Sequence, residues 1–114
     1  MAPKNQKNIR CLSVNICSIG GKSKIPLDKY VDIKAPDILK VQETLTSDME
    51  KLSLTNMKVL GDDNHARNRG AALYVHKNFT ITKLEEINEI SKNIDSSWGL
   101  GVIHKQRYVL GSVC

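Results

Sequence analysis

Two short runs decide the fold: Ile9-Arg10-Cys11-Leu12-Ser13-Val14-Asn15 and Pro36-Asp37-Ile38-Leu39-Lys40-Val41-Gln42-Glu43. Each is a stretch of aliphatic and β-branched residues closed by a polar side chain, the pattern of a strand reaching a sheet edge. The strands themselves are expected over residues 9–14 and 37–42. Between them, Ser18-Ile19-Gly20-Gly21 supplies a turn. Residues 22–34 then read as a helix whose buried stripe is Leu27, Tyr30, Val31 and Ile33, with Pro26 tolerable in the first turn. Ala35-Pro36 stops that helix, because a residue before proline avoids the helical region. Strand, helix and strand in this order make a βαβ unit with a right-handed crossover, so the two strands are parallel neighbours. Lys40 is awkward inside the second strand and is expected at an edge or snorkelling towards water.

Downstream, residues 46–54 read as a short helix with Ser47 as its cap. Residues 57–60 form a strand, residues 61–69 a polar loop, and Gly70 opens the strand 71–76. Strands over 81–84, 98–104 and 108–113 complete an antiparallel meander. The fold class is therefore α/β: a βαβ unit followed by a meander. One domain spans residues 9–114 behind a disordered basic lead over residues 1–8.

Composition narrows the function classes. Aromatic residues are only 4% of the 114, so aliphatics must fill the core. No apolar run approaches the roughly 20 residues of a spanning helix, which argues against a membrane partner. The first ten residues lack the apolar centre of a signal peptide, so an intracellular, unsecreted protein is expected. Three cysteines, an odd and sparse number, argue against a disulfide framework. The net charge of +5 comes entirely from residues 1–40, which hold eight Lys/Arg against three Asp/Glu. A basic face attracts polyanions by counterion release, although a solvated lysine-rich surface gives the same count. Lys4, Lys7, Arg10, Lys22 and Lys24 are candidate phosphate contacts, and Arg67 and Arg69 flank the polar loop where they can touch a nucleic-acid backbone.

Asn15 and Glu43 carry the chemistry. They emerge from adjacent parallel strands at the same carboxyl edge, where open α/β sheets bind ligands. A carboxylate there suits Mg²⁺, a hard cation that prefers oxygen, and an amide beside it can orient a phosphate. By residue type and spacing alone, an Asn or Glu ending a strand is more often a simple turn residue. His65, His76 and His104 read as loop or strand-end surface residues. Gly20-Gly21-Lys22-Ser23 imitates a phosphate loop, but the required earlier glycine is Ile16.

The string Leu12-Ser13-Val14-Asn15, a Gly/Lys turn, a helix and then Ala35-Pro36-Asp37-Ile38-Leu39-Lys40-Val41-Gln42-Glu43-Thr44 resembles the opening of the endonuclease/exonuclease/phosphatase superfamily. That family shows an Asn ending its first strand, then Pro-Asp-Ile-Leu and Gln-Glu-Thr. Arg69-Gly70-Ala71-Ala72-Leu73-Tyr74-Val75 is similar to its later Arg-Gly-Gly-Val-Ala-Ile-Tyr-Val strand. Ser97-Trp98 and Tyr108-Val109-Leu110-Gly111-Ser112-Val113 are similar to the meander that follows. The nearest flavour is the endonuclease domain of non-LTR retrotransposons, and the likeness runs in order from Ile9 to Cys114.

The resemblance implies Mg²⁺-dependent hydrolysis of DNA phosphodiesters, with Mn²⁺ as a possible substitute, and a nuclear location for a retroelement product. It makes Glu43 the metal ligand and Asn15 the residue that organises metal and phosphate. Two departures stand against it. The tyrosine expected after Ser112-Val113 is Cys114, and the Gly-Asp-Phe-Asn and Ser-Asp-His motifs that hold the His–Asp base do not occur in the 114 residues. The implied object is the front half of a two-sheet, four-layer sandwich, inactive alone. Its uncovered apolar sheet face would await the missing half or self-associate. A basic nucleic-acid-binding module without catalysis and an inactive relic are the other readings.

Overall fold

The computed structural model of the protein describes residues 8–15, 24–42, 52–61, 70–90 and 96–113. Strand β1 (Cys11–Asn15) and strand β2 (Ile38–Gln42) are parallel, with Cys11 opposite Ile38 and Asn15 opposite Gln42. Helix α1 (Lys24–Lys34) joins them, completing the expected βαβ unit. Asn15 is the last residue of its strand rather than the residue after it. Of the helix expected over 46–54, only residues 52–54 are described, and Leu52 is helical.

The second half departs from a single meander. Strands β3 (Met57–Gly61) and β4 (Ala71–His76) join the first sheet, in the order β1-β2-β4-β3, with β4 antiparallel to both neighbours. Strands β5 (Thr80–Lys83), β6 (Ser96–Ile103) and β7 (Gln106–Val113) form a separate antiparallel sheet in the order β5-β6-β7. A helix not expected from the sequence, α2 (Glu85–Ile90), lies between β5 and β6. The architecture is mixed α/β, mostly strand, with a four-stranded and a three-stranded sheet.

Strand β4 is the centre. Its residues Ala71, Ala72, Leu73, Tyr74 and Val75 are all buried, as befits a strand covered on both faces. On one face Ala72 and Tyr74 join Leu39 and Val41 against Leu27 and Val31 of α1. On the other, Leu73 and Val75 join Ile38 against Ile103 and Leu110 of the second sheet. The face of the first sheet opposite α1 is thus covered by the chain's own second sheet, whose strand β7 leaves Val109 and Val113 exposed. The expected helix stripe also narrows: Tyr30 is 39% and Ile33 71% exposed. Ile33 lies two positions, about 200°, around the helix from Val31 and so points away from the sheet.

Polar contacts lock the helix to the sheet. Arg10 Nη1 donates to Lys34 O at 2.9 Å, and its backbone N–H donates to Asp37 Oδ2 at 2.9 Å. One guanidinium nitrogen of Arg10 is thus engaged at the carboxyl end of α1. Ala35, with φ 48°, caps the helix and donates to Val31 O at 2.8 Å. At the other flank, both carboxylate oxygens of Asp28 accept hydrogen bonds from Thr55, each at 2.9 Å.

Candidate functional site

The strand directions gather six strand ends on one rim. β1 ends there at Asn15 and β2 at Gln42, which faces Ala71 at the start of β4. Gly61 at the end of β3 lies opposite Ala72. From the second sheet, Ser96 opens β6 opposite Val113 at the end of β7. Two buried serines tie the sheets together at this rim. Ser97 Oγ donates to Ala71 O at 2.8 Å, and Ser112 Oγ donates to Val41 O at 3.4 Å.

The open part of the rim is polar. Asn15 and Ser13 are exposed, and Gln42 is half-buried beside them. Gln42 Nε2 donates to Ser13 Oγ at 3.2 Å, which fixes the amide against the neighbouring strand. Strand alternation places Ser13, Asn15, Lys40 and Gln42 on one face, the face that carries Ile38 and Leu73 towards the second sheet.

The remaining sequence candidates belong to segments next to described strand ends in the chain. Glu43 is covalently next to Gln42, Lys22 belongs to the segment that follows Asn15, and Arg67 and Arg69 belong to the segment joining Gly61 to Gly70. Cys114 follows Val113. All five lie outside the described residues, as does His65. No family model matches this chain, and no curated protein matches it.

The donors described at the rim are amide and hydroxyl oxygens, the type a hard cation takes, with neither imidazole nor thiol among them. Among the described residues no group of three or more His, Cys, Asp or Glu converges. The Asn15 and Gln42 carbonyl oxygens are of the donor type Mg²⁺ takes, and Glu43, the charged ligand expected from the sequence, lies outside the described residues.

Both described histidines lie at the opposite rim, half-buried, at a strand end and in a turn. His76 ends β4, about 17 Å along the strand from Ala71. Its Nδ1 accepts from Asn78 N at 3.1 Å, which places the neutral ring's proton on Nε2. Phe79 packs edge-on between His76 and His104, with centroids 6.0 and 5.0 Å away. A cavity of about 120 Å³ lies at that end, lined by Val31, Asp32, Pro36, Asn56, Met57 and His76, far from the polar rim.

Sequence reasoning passed over Ser13, Ser97 and Ser112. Ser112 had a legible signal: it alternates with buried Leu110 in β7, so it occupies an inward position where a lone hydroxyl must find an acceptor.

Proposed function

We propose that this chain carries the cation-binding arm of a Mg²⁺-dependent phosphodiesterase of the endonuclease/exonuclease/phosphatase type, acting on DNA as a nicking endonuclease. One observation carries the reading: Asn15 and Gln42 are register partners on adjacent parallel strands, and Glu43 follows Gln42 directly in the chain, one Cα step of about 3.8 Å. The reading assigns the Glu43 carboxylate and the Asn15 amide to one shared ion beside one phosphate. The stacking of the two sheets through Leu73, Val75, Ile103 and Leu110 is consistent with half of the family's four-layer sandwich.

In this reading Glu43 binds the cation and Asn15 lends its carbonyl oxygen to the ion or its Nδ2–H to a phosphate oxygen. Lys22, Arg67 and Arg69 hold the backbone of the DNA strand. Bound Mg²⁺ supplies polarisation of the scissile phosphate and charge stabilisation on the leaving oxygen. The His–Asp base is not among these 114 residues, so the chain is expected to bind DNA and cation while nicking poorly or not at all.

The test is DNA affinity with and without Mg²⁺, together with supercoiled-plasmid nicking, for the wild-type chain, Glu43→Ala and Asn15→Ala. A cation-dependent gain in affinity that Glu43→Ala erases is the expected result. Salt-sensitive binding indifferent to cation and to both substitutions would leave a plain nucleic-acid-binding module. Absence of any DNA affinity at low salt would leave neither.

A further inference from the structure

Strand alternation sends three lysines to the face where the two sheets meet: Lys40 of β2, Lys58 of β3 and Lys83 of β5. Two of them have partners. Lys58 Nζ donates to Phe79 O at 2.7 Å, and Lys83 Nζ lies 3.9 Å from Glu85 Oε1. Lys40 is half-buried, and among the described residues no acceptor or carboxylate engages its ammonium.

The second sheet covers that face unevenly. β6 packs over β3 and β4, and β7 over β4 and β2. Cys11, Ser13 and Asn15 of β1 stay exposed. A step results, with a polar floor of Ser13, Asn15, Lys40 and Gln42 and the edge strand β7 as its wall. Lys40 sits two residues back from Gln42 along β2, about 7 Å from the rim. The half-buried stem of Lys40 lies along the floor, and its ammonium carries a positive charge that no described residue neutralises beside the Asn15–Gln42 rim.

We propose that Lys40 is a phosphate-binding residue of this site, whose ammonium takes the nucleic-acid phosphate next to the one held at the Asn15–Gln42 rim. The assignment rests on the nucleic-acid reading above and extends it: the substrate strand runs across the floor of the step, along β2, instead of touching the rim alone. Lys40 positions the strand and takes no part in bond breaking.

The experiment compares the wild-type chain with Lys40→Met and Lys40→Arg. Binding of a fluorescent duplex oligonucleotide is followed across a salt series in Ca²⁺ buffer, and thermal melting is followed in parallel. Lys40→Met is expected to melt at the wild-type temperature or a few degrees above it. It should bind about tenfold more weakly and lose about one from the slope of log K against log salt. Lys40→Arg should restore both affinity and slope. Wild-type affinity and slope in Lys40→Met, with a lowered melting temperature, would make Lys40 a structural snorkelling lysine and overturn the proposal. If that happens while Glu43→Ala still erases the cation-dependent gain, the phosphodiesterase reading survives without Lys40. If the wild-type chain binds no DNA, both fall together.

Discussion

At the scale of single residues, Tyr74 couples packing to pH. It is fully buried in β4, and its hydroxyl donates to Leu52 O at 2.5 Å. Burial, and then the nearby Asp28 carboxylate, push its phenol well above its ordinary range. The folded state therefore holds this proton more tightly than the unfolded state, whose phenol titrates near its usual value of about 10. The stabilisation is complete below that pH and fades as pH rises above it. Tyr74→Phe leaves the Leu52 carbonyl without its donor and should cost about 1–3 kcal/mol at neutral pH. Because phenylalanine does not titrate, the gap between wild type and variant should shrink above about pH 10. Urea unfolding at neutral and alkaline pH measures both, and a gap that stays constant would show that Tyr74 ionises freely in the fold. Asn15 was readable at this scale because a polar residue closing an aliphatic run announces a strand end. The partnership of Gln42 with Ser13 was not, since it depends on a register that neither residue encodes alone.

Among the elements, the β6–β7 hairpin departs from its local preferences. Ile103 pairs with Gln106 across a two-residue turn, and His104 and Lys105 both take left-handed backbone angles, φ 51° and 67°. Such turns favour Asn-Gly, and a residue with a Cβ is strained there. Lys105→Gly should therefore stabilise the chain by about 1 kcal/mol. Gly111 works in the opposite sense. It faces Trp98 across the hairpin, and a Cβ there would lie 2.4 Å from two atoms of the indole ring. Gly111→Ala should cost about 1–3 kcal/mol as the ring is forced aside. Melting curves of the two variants moving in the same direction would contradict this account of the hairpin. The βαβ unit was legible because aliphatic runs, a Gly-Gly turn and Ala35-Pro36 punctuate it within one short stretch. The hairpin strands were legible from alternation despite a turn that carries no hairpin signal. Helix α2 was missed because six residues, Glu85–Ile90, hold under two turns and too few apolar positions to display a period.

The division into two sheets belongs to the whole molecule and was hidden for a physical reason. The buried run from Ala71 to Val75 is apolar throughout, so it says that β4 is central without saying which strands flank it or what covers it. Its insertion between β2 and β3 is a long-range pairing, and its two faces serve two cores at once. That sharing makes a prediction about cooperativity. Ile103, in the second sheet, is fully buried against the face of the first sheet that carries Ile38, Leu73 and Val75. Ile103→Ala should cost about 2–5 kcal/mol through lost burial and the cavity left behind. Small domains have only about 5–15 kcal/mol in total, so the loss should move the unfolding midpoint of the entire chain. Trp98 reports on the second sheet by fluorescence, while far-ultraviolet circular dichroism reports on all strands and helices. If the core is shared, both signals shift by the same amount and keep a common midpoint. A variant in which Trp98 responds at lower urea while the dichroism holds would mean that the second sheet opens alone. The polar rim, which needs Ser97 and Ser112 seated against Ala71 and Val41, would then come apart before the βαβ unit that supplies Asn15 and Gln42.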